Sequence, residues 1–393
     1  MPSIADLLSE YIAYAGFALA WAVHFFTARS YGRLARLAHK QQQAGTGRTP
    51  APETPVSVVI AAHNQAEQLR RNLPALLEQD YDKYEVIVVN NASTDHTEDV
   101  LKLLELKYPH LHHTFTPSNS RYISHKRLSL TIGFKSAQYE WVVLTEAGSR
   151  PASPLWLKTL SQQFRSGVQI VLGYANYADR HHLTTRKTIF FNLFHQMQFL
   201  PWAARHKAYR CHPANVAYRK ELFMQHNGFA GDVELVDGAV ELLVNRHSTS
   251  ANTRVAFAPE AKVVCENPES AGAWRQNRLF YMETRRHFRK KWLYRRMFNL
   301  CQNAPYPFYL LTGIALARSI LREEWAGTGI VSLLFLLLTV WKTVQFNRSC
   351  RATGERPYYF GLWWYELCLI WWHVCSYISY RLSPRRQFRR KAF

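Results

Sequence analysis

A single carboxylate follows one of the most apolar stretches of the chain. In the segment VVLTEAGSRPASPLW, residues 142–156, an apolar run leads into Glu146 and then into a Pro-containing turn. A strand that ends in carboxylates is typical of a divalent-cation site, and such hard cations need several oxygen ligands. Here the residue two positions later is Gly148, so only one acid is present. Glu146 is therefore either a residual metal ligand or a carboxylate that pairs with a nearby arginine such as Arg150.

Polar residues also follow two other apolar runs. VSVVIAA, residues 56–62, leads into His63 and Asn64, and YEVIVVN, residues 84–90, ends at Asn90 and is followed by Asn91. In parallel α/β proteins, ligands bind at the carboxyl ends of the strands. We therefore expect these four side chains to lie near Glu146 and to contact a bound ligand. The alternative is structural: Asn90 and Asn91 form an Asx turn before Ser93, and the histidine packs locally.

The segments around these residues alternate between strand and helix patterns. AEQLRRNLPALLEQ (66–79) has the leucine spacing of a helix, and STDHTEDVLKLLELKY (93–108) begins with Ser and Asp, which are typical helix caps. SHKRLSLTIGFKSA (124–137) is also helical in pattern, and WVVLTE (141–146) is a third apolar strand. This alternation predicts an α/β fold with a mainly parallel sheet flanked by helices.

These segments resemble the nucleotide-binding half of family 2 glycosyltransferases. The likeness lies in PVSVVIAAHNQAEQLRRNLPALLEQDYDKYEVIVVNNASTD, in RYISHKRLSLTIGFKSAQYEWVVLTEAGSRPASPLWL and in PANVAYRKELFMQHNGF, and it covers residues 55 to about 290. The resemblance implies a GT-A fold, which binds a nucleotide-sugar. Membrane members of the family carry flanking helices of the kind described below.

Most of the acidic residues typical of the family are replaced in this chain. The family has an Asn-Glu pair after the first strand, two Asp after the second, Asp-x-Asp after the third and a Gly-Asp-Asp-Asp-like run at the catalytic base. The neutral residues at those positions are Gln65, Asn90, Asn91, Gly148, Ala239 and Val240. Asn is nearly isosteric with Asp, so the fold can persist while negative charge is lost.

Other residues match the functional positions of the family. The resemblance implies that Glu241 is the catalytic base and that Arg121 and Lys126 lie near the nucleotide phosphates. It also implies a Mg²⁺ or Mn²⁺ cofactor, with Glu146 as the ligand, although a single carboxylate argues against tight metal binding. Alternatively, Glu241 caps its helix or faces solvent.

Apolar segments on both sides of the predicted domain indicate a membrane protein. We predict an N-terminal transmembrane anchor with a basic flank in residues 1–40, a linker in 41–55 and the GT-A-like domain in 56–296. A transmembrane hairpin is predicted in 305–345. Residues 358–393 are predicted to form an interfacial aromatic helix and a basic tail, since Trp-rich sequence with Glu366 and His373 suits a helix in the membrane plane. A further span is the alternative.

The basic residues beside the apolar segments predict which side of the membrane the domain faces. Arg29, Arg33, Arg36 and Lys40 follow the first apolar segment, and the positive-inside rule assigns that flank to the cytoplasm. The chain has 49 basic and 28 acidic residues, a net charge of +21, which predicts an anionic partner. The basic run 285–296 adjoins apolar segments, so anionic lipids are favoured over nucleic acid. Six scattered cysteines without a CxxC pair fit reduced, cytosolic thiols.

Two hypotheses about function remain open on this basis. In the first, the protein is an inverting glycosyltransferase of a bacterial inner membrane. It passes a sugar from a nucleotide diphosphate donor to a lipid-linked or envelope glycan acceptor. In the second, the loss of acids has left a degenerate glycosyltransferase that acts as a binding or scaffold subunit for another envelope-synthesis protein.

Overall fold

The computed structural model describes residues 4–45, 54–117, 125–179, 183–229, 235–268, 270–289, 292–384 and 388. The chain divides into two compact units. Met1–His39 and Lys291–Cys375 make up a helical unit, and Lys40–Lys290 with Ser376–Phe393 make up an α/β unit.

Ten strands occur in the described residues of the α/β unit. They are β1 (Val56–Ala62), β2 (Tyr84–Asn90), β3 (Leu111–Phe115), β4 (Trp141–Glu146), β5 (Ser149–Pro151), β6 (Ile170–Gly173), β7 (Ala175–Tyr177), β8 (Val216–Arg219), β9 (Thr253–Ala256) and β10 (Val263–Cys265). Seven of them form one sheet in the order β3-β2-β1-β4-β8-β6-β9, and β5-β10-β7 form a second sheet.

Helices flank the sheets and make up the helical unit. In the described residues they are α1 (Ile4–Ala28), α2 (Arg33–Gly45), α3 (Ala66–Leu77), α4 (Thr97–Lys107), α5 (His125–Ser136), α6 (Trp156–Ser161), α7 (Leu183–Ala203), α8 (Lys220–Gln225), α9 (Ala239–His247), α10 (Ala271–Arg286), α11 (Trp292–Asn303), α12 (Pro305–Leu321), α13 (Trp325–Ala352) and α14 (Leu362–Leu382).

The predicted α/β fold with a mainly parallel sheet is confirmed. β1 pairs in parallel with β2 and β4, and β2 pairs in parallel with β3. The central strands are buried almost throughout, because helices cover both faces of a parallel sheet. The sheet turns antiparallel at β8, which lies between β4 and β6. The carboxyl ends of β1, β2 and β4 therefore meet at one edge of the sheet.

The helical unit contains the segments that are candidates for a membrane. In the described part of the chain, Tyr11–Gln43 and Trp325–Ala352 are long and apolar enough to cross a bilayer. Helix α12, the first half of the predicted hairpin, has 17 residues and packs beside α13. The domain boundaries given above, including the interfacial placement of residues 358–393, stay predictions.

A polar cluster lies inside the helical unit. Lys342 Nζ of α13 donates to Glu366 Oε2 of α14 at 2.6 Å, and both side chains are fully buried. Tyr31 and Tyr309 donate hydroxyl hydrogen bonds to the same carboxylate, at 2.7 and 2.8 Å, and His24 Nε2 lies 3.1 Å from Lys342 Nζ. The sequence pattern predicts that Glu366 is part of the polar surface of an interfacial helix. That prediction for Glu366 is wrong, because its carboxylate faces inward and is paired with Lys342.

Candidate active site

A cleft of about 450 Å³ opens at the carboxyl ends of β1 and β4. Four of the predicted site residues line it: His63 after β1, Asn91 after β2, Lys126 in the first turn of α5 and Glu146 at the end of β4. The remaining lining residues are Ala61, Ala62, Gln65, Gln68, Ala147, Gly148, Ser149, Tyr177, His212, Cys265, Glu266, Asn267, Pro268, Ala273 and Asn277. The parallel strands thus bring the ends of separate sequence segments to one cavity, as expected for this class of sheet.

Lys126 connects two acids that come from separate elements. Its Nζ donates to Glu146 Oε1 at 3.2 Å and to Asp237 Oδ1 at 3.4 Å. Asp237 first, and Glu146 next, raise the pKa of Lys126, while Lys126 is the main cause of a lowered pKa at Asp237. The expected alternative partner of Glu146, Arg150, is not the one found. Lys126 makes the contact because the N-terminal turn of α5 faces the end of β4.

Asp237 is a site residue that the sequence pattern did not single out. It begins the run DGAVELLVN, whose fifth residue is Glu241. The comparison with the acid-rich family run starts at Gly238 and so leaves Asp237 out. The signal that could have found it is its place directly before a glycine at a helix start.

Glu241 lies in the first turn of α9 and is 9% exposed. Burial first, and the charge of Asp237 next, raise its pKa to about 7. The expected alternative, a solvent-facing carboxylate, is wrong because the first turn of α9 packs into the domain. Glu241 lines a small chamber of about 10 Å³ together with Lys126 and Asp237. Lys126 lines both this chamber and the large cleft, so it lies at their junction.

A glycine sets the geometry between Asp237 and Glu241. Gly238 is the N-cap of α9 and has φ of 87°, the left-handed region that favours glycine. A Cβ at this position would lie 2.2 Å from Oγ1 of Thr284 in α10. The chain can therefore turn sharply after Asp237 and place Glu241 inside the domain only because residue 238 has no side chain.

Asn64 and Asn90 hold the loops together and do not line the cleft. Asn64 has φ of 51°, and its Oδ1 accepts a hydrogen bond from the Thr94 backbone at 2.8 Å. Asn90 is 5% exposed, and its Oδ1 accepts from the Ser93 backbone at 3.2 Å. Both amide oxygens thus already accept hydrogen bonds from the loop after β2, and the contact of Asn90 is the turn that the alternative describes. Their contact with a nucleotide stays a prediction.

Asn91 and His63 lie together on the cleft wall. His63 Nδ1 lies 2.6 Å from the backbone oxygen of Asn91, and Asn91 Oδ1 accepts from the Thr116 hydroxyl at 3.0 Å. Arg121, the other predicted phosphate contact, lies outside the described residues. A neighbouring acid, Asp95, accepts hydrogen bonds from the backbone of Ala66 at the start of α3 and of Thr97 at the start of α4. It fixes the two loops against each other.

The donor set at the cleft does not fit a Mg²⁺ or Mn²⁺ ion. One oxygen each of Glu146 and Asp237 accepts from the Lys126 ammonium, and Gly148 offers no side-chain ligand. Across the described ranges, no three His, Cys, Asp or Glu side chains are grouped so that they could hold a metal. Hard cations prefer six or more oxygen ligands, and the protein supplies too few here.

Neutral polar groups dominate the rest of the cleft. Burial lowers the pKa of His212 to about 4, so this imidazole is neutral at physiological pH. Glu266, the other carboxylate of the wall, is paired with Arg71 at 3.1 Å and accepts from Asn72 at 3.0 Å. Burial raises the pKa of the Cys265 thiol to about 12. Amides and imidazoles of this kind are suited to hydrogen bonds with hydroxyl-rich ligands.

Comparison with known proteins finds the same family that the sequence motifs resemble. Residues 57–226 match the model of the family described as Glycosyl transferase family 2. Over this stretch, which is less than half of the chain, the protein is similar to family 2 glycosyltransferases. The matched stretch ends within the α/β unit and contains β1 to β4, and therefore the edge of the sheet at which Lys126 and Glu146 meet.

Individual relatives are more distant. The probable glycosyltransferase YdaM of Bacillus subtilis is 32% identical over 99 residues, which are 24% of this chain and 23% of that protein, so the match spans less than a quarter of this curated relative. The mannosyltransferase PcManGT from Pyrobaculum calidifontis, solved with GDP-Man and Mn²⁺, is 18% identical with a TM-score of 0.50, over 85% of this chain and 99% of that chain. This likeness shows that the fold is GT-A. Residues 1–349 of S. aureus TarS, solved with UDP-GlcNAc, align at 13% identity and a TM-score of 0.43, over 81% and 92% of the two chains.

Proposed function

We propose that the protein is a membrane-bound, inverting glycosyltransferase that passes a sugar from a nucleotide diphosphate donor to a lipid-linked or envelope glycan acceptor. The observation that carries this proposal is the arrangement of Glu241, Asp237 and Lys126 beside the cleft of a family 2 domain. A buried carboxyl with a pKa of about 7 can exchange a proton at neutral pH. A neighbouring ammonium can stabilise a leaving phosphate.

The chemistry needs one base and one electrophilic group. In an inverting displacement, Glu241 takes the proton of the acceptor hydroxyl, and the acceptor oxygen forms a bond to the anomeric carbon of the donor. The bond from that carbon to the diphosphate breaks, and the nucleotide leaves with the electron pair. Lys126, which lines both the cleft and the Glu241 chamber, supplies positive charge to stabilise the leaving oxygen.

A membrane location on the cytoplasmic face of a bacterial inner membrane fits the rest of the chain. Two segments of the described residues are long and apolar enough to cross a bilayer. The basic residues after the first of them, Arg29, Arg33, Arg36 and Lys40, favour the cytoplasmic side. Anionic lipids would also attract a chain with a net charge of +21. A lipid-linked acceptor would be supplied from the same membrane.

A second function, binding without turnover, is favoured by a different observation. The amide oxygens of Asn64, Asn90 and Asn91 accept hydrogen bonds within the loops, and Glu146 is paired with Lys126. Groups that contact the donor in an active enzyme are here engaged inside the protein. A degenerate subunit that binds a nucleotide or a glycan beside an active partner would tolerate this arrangement.

Turnover of candidate donors separates the two functions. The full chain, solubilised in detergent, is assayed for nucleotide release from UDP- and GDP-sugars with membrane lipid extract as the source of acceptor. If Glu241 is the base, Glu241→Gln lowers turnover by about 10²–10⁴-fold and leaves nucleotide binding intact. Glu221→Gln is the matched control, because Glu221 is an exposed carboxylate in the first turn of α8. Nucleotide binding without turnover of any donor would favour the binding function.

A further inference from the structure

Two carboxylates converge on a cation that belongs to the chain itself. Glu146 ends β4 and Asp237 precedes α9, and the Lys126 ammonium lies between them at 3.2 and 3.4 Å. In a site built for a divalent ion, carboxylates from two elements would converge on the metal in the same way. Here a metal would have to displace an ammonium that both carboxylates already contact.

The charges around this point are balanced without a metal. Lys126 foremost, and Arg127 to a lesser extent, lower the pKa of Asp237. Arg210 and Lys126 both act to lower the pKa of Glu241, against the stronger effects of burial and Asp237. Three cationic side chains, Lys126, Arg127 and Arg210, thus lie in this region beside the carboxyl groups of Glu146, Asp237 and Glu241. The cationic groups are therefore as numerous as the carboxyl groups here without a metal.

We propose that the Lys126 ammonium takes the place of the divalent cation, so that the cleft binds a nucleoside diphosphate in the absence of metal. This inference rests on the proposed function, because it concerns the donor of that reaction. Lys126 is 43% exposed and lines the large cleft, so its ammonium can reach a bound phosphate while its carboxylate partners hold it in place. An ammonium can make charge-assisted hydrogen bonds to phosphate oxygens.

Binding of the free nucleotide to the full-length protein gives the primary test. UDP and GDP are titrated by calorimetry, first with EDTA and then with added Mn²⁺. We expect the dissociation constant of the nucleotide that binds to be the same within about threefold in both conditions, a difference of about 0.7 kcal/mol or less. Binding that EDTA abolishes and Mn²⁺ restores would overturn metal-free binding and leave the proposed function standing. If neither nucleotide binds in either condition, both proposals fail.

Two substitutions of the same lysine test the role of its charge. Lys126→Met should weaken nucleotide binding roughly tenfold or more in EDTA, a change of about 1.4 kcal/mol, whereas Lys126→Arg keeps the cation and most of the affinity. Lys158→Met is the matched control, because Lys158 makes a surface ion pair with Asp80, also at 3.4 Å, and does not line the cleft. Equal affinity of Lys126→Met and the wild type for the nucleotide would overturn the proposal. The wild-type titrations with EDTA and Mn²⁺ test the proposal even if a variant fails to fold.

Restoring the missing acid gives the converse experiment. A Cβ at Gly148 would meet no atom of the described residues within 4 Å, and Gly148 lines the open cleft, so the position has room for a side chain. It adds a carboxylate two residues after Glu146. If the metal is excluded because the protein offers too few ligands, the double variant Lys126→Met/Gly148→Asp should bind UDP or GDP roughly tenfold more tightly with Mn²⁺ than with EDTA. The single variant Lys126→Met should bind the nucleotide equally in both conditions. A gain from Mn²⁺ in the wild type of the same size would contradict the proposal.

Discussion

At the scale of single residues, three carboxyl groups of the site differ in their burial and in their ion pairs. Glu146 and Asp237 are both paired with the Lys126 ammonium, which lowers the pKa of Asp237. Glu241 is buried away from a direct ion pair in the described structure, and its pKa is raised to about 7. Carboxyl groups with such different environments are the usual means by which a site separates a proton acceptor from a permanent charge.

The raised pKa of Glu241 predicts a pH dependence of stability. The folded state keeps the proton of Glu241 up to about pH 7, whereas the unfolded chain releases it near 4.5, the ordinary pKa of a glutamate. Stability is therefore lost as pH rises from 4.5 to 7, by about 3 kcal/mol for this group, and Glu241→Gln should remove that loss. The measurement is the thermal midpoint of both proteins, in detergent, from pH 4.5 to 8.

The difference between the two proteins isolates Glu241 from its neighbours. Asp237, Lys126 and Arg210 are the charged groups that act on it, and none of them titrates between pH 4.5 and 7. The lowered pKa of His212, about 4, has the opposite sign and raises stability over part of the same range in both proteins. Parallel pH profiles for the wild type and Glu241→Gln would contradict the buried, protonated carboxyl.

Only part of the site could be predicted from single residues in the sequence. Glu146 and Lys126 were identified because they match family positions, and both line the cleft. His212 and Tyr177 also line it, but they lie far along the chain from the strand ends. Neither stands in a recognisable pattern, since their positions depend on the pairing of β8 with β4 and of β7 with β10 in the second sheet. Lys126 was expected near phosphates, and its link to Asp237 depends on a contact 111 residues distant.

At the scale of elements, continuous apolar runs fixed the strand boundaries well. The predicted strands 56–62, 84–90 and 141–146 coincide with β1, β2 and β4. A parallel strand that is buried on both faces is a continuous apolar run, so its first and last residues are easy to recognise in the sequence. The antiparallel β8, a four-residue strand, was not predicted. Four residues carry too little periodicity to indicate a strand, and its direction is set by the sheet rather than by its own sequence.

The start of α9 gives a prediction at this scale. Gly238→Ala places a methyl group 2.2 Å from the Thr284 hydroxyl at a φ of 87°, so it should displace Asp237 and Glu241 and lower stability and turnover. Gly167→Ala is the control, since Gly167 has a φ of 75° with no atom of the described residues within 4 Å of a Cβ.

Comparison of the two variants separates backbone strain from packing. Gly167→Ala should cost about 1–2 kcal/mol of stability and leave turnover unchanged. Gly238→Ala should cost a further 1–3 kcal/mol or so through overpacking, with part of it recovered in Gly238→Ala/Thr284→Ala. Thermal unfolding and nucleotide binding are measured for each variant. Equal effects of the two single substitutions would show that the contact with Thr284 does not constrain the helix start.

At the scale of the whole molecule, a buried ion pair joins distant parts of the sequence into one helical unit. Lys342 and Glu366 pair at 2.6 Å inside the unit, and His24, Tyr31 and Tyr309 complete the cluster. The N-terminal and C-terminal helices are thus connected by polar contacts. This pairing could not be predicted from the sequence, because Glu366 stands among tryptophans that favour an interfacial helix.

Removing one partner of the pair should destabilise the helical unit more than removing both. Lys342→Met or Glu366→Leu alone leaves a buried charge without its counterion, at a cost of about 3–5 kcal/mol, and the double variant should recover much of the loss. The measurement is the fraction of monodisperse protein after heating in detergent, read by size-exclusion chromatography. A double variant that is as unstable as the worse single variant would contradict a mutual dependence of the two charges.

The cysteines described above have a practical consequence for labelling. Cys211, Cys265, Cys301 and Cys350 are buried, whereas Cys375 is exposed. Alkylation proceeds through the thiolate, and the Cys265 thiol in the cleft wall, with its pKa of about 12, holds almost none of it at neutral pH. A maleimide fluorophore should therefore attach first at Cys375 in the native chain. Cys368 is half-buried and should react more slowly than Cys375, so brief labelling favours one site and leaves the thiol of the cleft wall unreacted.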